Sequence, residues 1–142
     1  MTLDELKKLT AALDLSTYSL TLNSCTENNK KNAYDSNKTD TEYLCVFRNQ
    51  YLQIIIHYHD FEYLQVQIVR TNDKYFSMAD YYKQKRKTFD IRTTTHKTHN
   101  ESQKEFVDRT LDFIVNKFFP DIKHILVDGA WEEITFDWQG YK

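Results

Sequence analysis

The residue types most suited to chemistry are the histidines and the carboxylates. His57-x-His59 would place two imidazoles on one side of a strand, because side chains repeat every two residues. That spacing suits two metal ligands. His96-x-x-His99 with Glu101 could supply more, and a small metal-dependent hydrolase can be assembled from such pieces. Against this, no HExxH helix occurs, and His59 falls at an expected turn, where a histidine needs no special role. The weighed expectation is structural or solvated histidines, with no metal ligand set and no cofactor assigned.

A second constellation is basic. Lys83, Lys85, Arg86 and Lys87 follow Tyr81 and Tyr82, and basic groups beside aromatic rings can hold a single strand of nucleic acid through phosphate contacts and base stacking. An RNA-binding regulator is therefore an alternative. The RNA-recognition and KH signatures are missing, however, and lysines at a helix C-terminus complement its dipole without any ligand.

The third constellation is acidic. Asp128, Glu132, Glu133 and Asp137 are interleaved with Trp131, Ile134, Phe136 and Trp138. On a strand, Trp131, Glu133 and Asp137 would share the outer face. An aromatic anchor ringed by carboxylates suits a basic protein partner. The candidate partner-binding residues are thus Asp128, Trp131, Glu132, Glu133 and Asp137. A paired-carboxylate glycosidase is disfavoured, since nothing else suggests a sugar cleft.

Other chemistry is excluded by composition. With only 2 glycines, Gly129 and Gly140, the chain has no P-loop, no dinucleotide fingerprint and no nucleophile elbow. Two cysteines, Cys25 and Cys45, cannot make a four-Cys zinc site. Cys45 lies in an apolar run and reads as a buried thiol, a disulfide being the less favoured choice. No Ser/His/Asp or Cys/His set can be assembled, so the expectation is a protein that is not an enzyme.

The elements that must position these groups follow from periodicity. Thr2–Leu13 reads as a helix with Thr2 as cap and Leu3, Leu6, Leu9 and Leu13 as its stripe. Thr17–Leu22 reads as a strand, and residues 23–42, almost wholly polar, as a long loop. Tyr43–Arg48, Tyr51–Tyr58 and Phe61–Arg70 read as three hairpin-linked strands, with turns at Asn49-Gln50 and His59-Asp60. Their core face would carry Leu44, Val46, Leu52, Ile54, Ile56, Leu64, Val66 and Ile68. The wet face would carry Gln53, Ile55, His57, Tyr63, Gln65 and Gln67. A short helix from Met78 to Lys87, capped by Ser77, and a strand over 88–95 follow. Asn100 would then cap a long helix, Glu101–Phe119, that Pro120 stops. Ile122–Val127 and Trp131–Trp138 read as strands around an Asp128-Gly129 turn. The fold class predicted is α+β, a mainly antiparallel twisted sheet of about six strands with an N-terminal helix, a short middle helix and one long helix packed on it.

The chain has 142 residues, 40% hydrophobic and 28% charged, the composition of one soluble globular domain over 1–142. No apolar run approaches the roughly 18 residues of a membrane span. Met1–Leu15 carries Asp4, Glu5, Lys7 and Lys8 and does not read as a signal peptide, so a cytoplasmic address is expected. Net charge is −2, unevenly spread: 9 basic and 4 acidic groups in 70–104, against acidic flanks. Such a division can steer a charged partner.

In size and character, being small, glycine-poor, slightly acidic and rich in aromatics, the chain resembles the immunity proteins that bacteria make beside polymorphic or contact-dependent toxins. The resemblance implies an antitoxin that binds a cognate toxin domain, such as a nuclease, and neutralises it by occluding its active site. It carries no residue assignment. It implies a protein partner. The sequence itself reads as having no membrane partner and as disfavouring nucleic acid, and it leaves homo-oligomerisation through an edge strand open.

Overall fold

The computed structural model describes residues 1–85 and 90–134. Helix α1 spans Leu3–Ala11, and Thr2 and Glu5 cap it reciprocally: the Thr2 hydroxyl accepts from the Glu5 N–H, and the Glu5 carboxylate accepts from the Thr2 N–H. Leu6 is fully buried and Leu3, Leu9 and Leu13 pack half-buried beside it, as the stripe requires. Of the expected strand over 17–22 only Thr21 and Leu22 are extended; its first part is a 3-10 turn, Ser16–Tyr18, nucleated by Asp14, whose carboxylate accepts from both the N–H and the hydroxyl of Ser16. Tyr18 and Leu20 are buried without belonging to a strand there, so burial alone produced the alternation.

Among the described residues, five antiparallel strands follow: β1 (Thr21–Lys31), β2 (Thr39–Arg48), β3 (Gln53–His59), β4 (Tyr63–Thr71) and β5 (Lys74–Ser77). Each pairs with its neighbour in sequence, giving the order β1-β2-β3-β4-β5. The polar stretch 23–42 is therefore not a loop. It is most of a hairpin, with an added residue at Asn23 bulging β1. Cys25 lies directly opposite Cys45 across that hairpin, and the two form a disulfide, not the free thiol expected.

On β2 the sequence run Tyr43–Phe47 is apolar at every position, so pattern alone allows either phase. The register pairs Cys45 with Ile56 and Phe47 with Ile54. Tyr43, Cys45 and Phe47 thus enter the core, and Leu44 and Val46, expected inside, lie on the opposite face. A one-residue change of phase moves every side chain across the sheet. On β3 and β4 the core face is the expected one, Ile54, Ile56, Leu64, Val66 and Ile68.

The turns are made without glycine. Between β2 and β3, the Asn49 side chain accepts from the N–H groups of Tyr51 and Leu52 and donates to the carbonyls of Tyr18 and Leu126. Between β3 and β4, Asp60 and Phe61 both have positive φ, 53° and 54°, and the Glu62 N–H bonds the His59 carbonyl at 2.9 Å. That is a type I′ turn. It is centred one residue later than the sequence suggested.

The helices cover one face. Ser77 caps α2 (Met78–Lys85) through the Asp80 N–H, as expected. The strand expected over 88–95 is absent where described, Thr88 and Phe89 lying outside the described residues. Asp90 accepts from the Arg92 N–H and starts a one-turn helix, α3 (Arg92–Thr95), so local side-chain bonding overrides the β-propensity of the threonines. Ser102, not Asn100, caps α4 (Gln103–Phe113) in a capping box with Glu105. Pro120 does not stop this helix. The chain widens into a π turn, Ile114–Phe118, in which the Phe119 N–H reaches the Ile114 carbonyl, and continues as α5 (Phe119–Asp121). The wider turn sits where the missing proline N–H would break the regular ladder. Ile122–Val127 is not a strand: Ile122, Ile125 and Leu126 are fully buried at i, i+3, i+4 spacing, and Lys123–Val127 forms α6. Gly129 has a φ of +70° but joins no strands, and residues 131–134 form none; positions 135–138 of the expected last strand lie outside the described residues.

The result is the α+β class predicted, with a five-stranded antiparallel sheet, an N-terminal helix and a long helical segment over 103–121. Among the described residues no helix is long and apolar enough to cross a membrane.

Candidate functional site

β1 and β2 outrun the rest of the sheet. β3 pairs with β2 only as far as Glu42, whereas β1 and β2 continue to the Lys31–Thr39 pair. Residues 28–41 therefore form a two-stranded arm. Its tip is organised by Asn32, whose carbonyl oxygen accepts from the N–H groups of Tyr34 (2.8 Å) and Asp35 (3.0 Å) and whose amide donates to Asp40. Tyr34, at the tip, is 99% exposed. At the base, the Asp60 carboxylate accepts from the Thr41 N–H at 2.7 Å and the Asp60 N–H donates to the Thr41 carbonyl at 2.8 Å.

At that base, on the sheet face opposite the helices, three ligand-type side chains converge. Glu42 and His59 are register partners, and His57 lies two residues before His59 on β3. One oxygen of Glu42 is 3.8 Å from His57 Nε2 and the other 3.8 Å from His59 Nδ1. The two imidazole centroids are 4.0 Å apart. Lys30 Nζ sits 3.1 Å from Glu42 and, by donating to it, holds the carboxyl below its ordinary value. Burial lowers the His57 pKa, and the neighbouring His59 lowers it further. His57 Nε2 is buried with no hydrogen-bond partner among the described residues.

The other sequence candidates fare differently. His57 and His59 do share one side of a strand. His96 packs at a tilt against Tyr63 (ring centroids 4.7 Å apart) and bonds locally, and the Glu101 carboxylate is taken up by Arg109, at 2.7 and 3.1 Å, so neither joins the histidine pair. Tyr81 and Tyr82 are buried against Phe118, with their hydroxyls on Asp121, so their ring faces offer no stacking platform. Lys85 bonds Glu132 at 2.6 Å; Arg86 and Lys87 lie outside the described residues.

Of the acidic C-terminal set, Asp128 and Glu133 are exposed. Trp131 is half-buried and packs on Phe76, its ring centroid 5.3 Å away. Glu132 is held between Lys85 and His124, which keeps its carboxyl pKa low, chiefly through the Lys85 bond. Asp137 lies outside the described residues. Residues 131–134 form no strand, so Trp131 and Glu133 do not share the outer strand face expected of them.

Sequence reasoning missed Glu42, Lys30 and Tyr34 because it took 23–42 for a loop. The available signal was Thr39 and Thr41, β-branched residues leading directly into the apolar strand.

Comparisons with protein families, with curated proteins and with solved structures find no match to this chain.

Proposed function

We propose that the chain is a binding protein of the immunity type, which neutralises a toxin domain by covering its active site, and that the β1–β2 arm is its principal contact element. The observation that supports this is Tyr34, 99% exposed at the tip of an arm that extends past the rest of the sheet. An exposed tyrosine gains nothing in folding. At an interface it supplies a large contact area at low entropic cost, and such residues are frequent hot spots. The backbone of the tip is set by Asn32, so little ordering remains for the moment of binding.

The exposed carboxylates Asp128 and Glu133 would add steering toward a basic partner, and the chain's net charge of −2 has the right sign. Action in the cytoplasm belongs to the same reading. It requires the Cys25–Cys45 pair to function in a compartment where disulfides are rare.

The test is co-expression with the product of the reading frame immediately upstream, followed by purification. A tight stoichiometric complex with a neighbour that kills cells when expressed alone is the expected result. Tyr34→Ala should then weaken the complex by about 30-fold or more, the cost of losing a hot spot. A harmless neighbour with no complex would sink the immunity reading. A toxin complex indifferent to Tyr34→Ala would remove the arm, and reversal of Glu133 together with Asp137 would then test the acidic end.

A further inference from the structure

At the foot of the arm, Glu42, His57 and His59 cluster on one face of the sheet, the two Glu42 oxygens facing one imidazole each. We propose that these three side chains form a binding site for a divalent transition metal of the zinc class. The inference stands independently of the toxin-binding reading.

Three ligand atoms, one from each residue, lie within 4.8 Å of one another. Both carboxylate–imidazole separations, 3.8 Å, are too long for hydrogen bonds. Ligand distances of about 2.0–2.2 Å around tetrahedral zinc place neighbouring donors roughly 3.3 Å apart, and the three ligand atoms, all within 4.8 Å of one another, need to draw together by no more than about 1.5 Å to reach that spacing. The buried His57 Nε2 lacks any partner among the described residues. A buried polar atom left in that state carries a desolvation penalty that a metal would remove.

The surroundings already prepare His59. Its Nε2 lies 3.2 Å from the Gln65 Oε1, an atom that can only accept, so Nε2 carries the proton. Nδ1, the nitrogen facing Glu42, is then the lone-pair nitrogen. This is the outer-shell device that fixes the tautomer of a metal-bound imidazole. The backbones are equally fixed, since Glu42 and His59 are paired residues of adjacent strands and Asp60 clamps the neighbouring Thr41.

Two imidazoles and one carboxylate select zinc, cobalt or iron(II) over calcium and magnesium, which prefer all-oxygen shells. Three protein ligands leave a fourth position open, and the His59 side chain, 34% exposed, puts that position within reach of solvent. Lys30 is the natural competitor. Its ammonium is bonded to Glu42, its side chain is 56% exposed, and it can leave without disturbing the core. A bound metal would join the stem of the arm to the central strand of the sheet.

The experiment uses the full chain, stripped with chelator and dialysed, and titrated with Zn²⁺ by calorimetry and with Co²⁺ by visible absorption. One equivalent should bind, with cobalt d–d bands of a four- or five-coordinate nitrogen/oxygen site. His59→Gln and Glu42→Gln should each weaken binding by more than the roughly 10–100-fold that loss of an outer-shell partner costs, and Gln65→Leu should fall within that range. Lys30→Met should tighten it. His99→Ala, at an exposed histidine outside the cluster, should leave it unchanged. Zinc should raise the thermal midpoint of the native chain and of His99→Ala, and leave that of His59→Gln where it was. Absence of saturable binding would overturn the proposal, as would stoichiometric binding that survives both His59→Gln and Glu42→Gln. If His57→Ala fails to fold, the variants at the partly exposed His59 and Glu42 still decide the matter.

Discussion

The hydroxyls of Tyr58 and Thr110 lie 2.6 Å apart where β3 meets α4, both side chains at 0% exposure. Thr110 also donates to the Phe106 carbonyl at 2.9 Å, which leaves its oxygen to accept from Tyr58. Burial pushes the Tyr58 hydroxyl well above the ordinary tyrosine range, so it stays protonated and remains the donor.

The two ends of this bond are unequal. Tyr58→Phe removes the donor and leaves Thr110 bonded to its own helix, at a cost of about 1 kcal/mol. Thr110→Val strands a phenolic hydroxyl in the core, which adds a desolvation penalty and brings the cost to about 2–3 kcal/mol. The double variant should be less destabilised than the sum of the singles. Urea unfolding of the three variants checks this, and additive losses would show that the hydroxyls do not act as a pair.

Arg109 joins several places at once. It donates to Glu101 and to the carbonyls of Thr94 and His96, and it lies over the Phe106 ring, so it ties α3 to α4. Its bond lowers the Glu101 pKa below the ordinary 4.5. A carboxylate with a depressed native pKa contributes stability that is full above its unfolded value and is lost as pH falls through the native value. The stability of the native chain should therefore decline below about pH 4.5 partly through this pair. Arg109→Ala should cost about 1–2 kcal/mol at pH 7, allowing for solvent screening of the partly exposed guanidinium, and should flatten the acid limb. An unchanged pH profile in Glu101→Gln would remove this pair as a source of acid sensitivity.

Phe61 holds a left-handed backbone that suits glycine, yet its ring is 1% exposed and stacks on Tyr43 at 4.0 Å. The conformation costs roughly 1–2 kcal/mol. Deleting a buried phenylalanine ring costs about 3–5 kcal/mol. Phe61→Gly should therefore destabilise by about 2–3 kcal/mol despite relieving the backbone, by thermal or urea unfolding. A neutral or stabilising result would mean that the turn, not the ring, dominates at this position.

Legibility in the sequence follows the strength of local signals. The Thr2–Glu5 capping box and the β3 and β4 core faces are readable, because side-chain period and burial agree there. The failures have a common cause. The threonine run within Arg92–Thr95 and the apolar Ile122–Val127 look like strands by composition, but Asp90 and the i, i+3, i+4 burial of Ile122, Ile125 and Leu126 make helical turns of them. β1 is invisible because its stabilisation comes from pairing with β2 and not from apolar periodicity: beyond Cys25 every residue of the strand is exposed. The His57–His59 pair can be named from spacing alone. Glu42 cannot, since only the β2–β3 register brings it to them.

The meander has a kinetic consequence. Because each strand pairs with the one before it, no ladder waits on a distant crossover, and short loop closures favour rapid assembly. The sheet can form as the chain emerges from the ribosome. Asn49 then supplies a late checkpoint: its amide needs the carbonyls of Tyr18 and of Leu126, the latter 77 residues downstream, and so cannot be satisfied until α6 has docked. That one amide ties the turn between β2 and β3 to segments on either side of it in the chain.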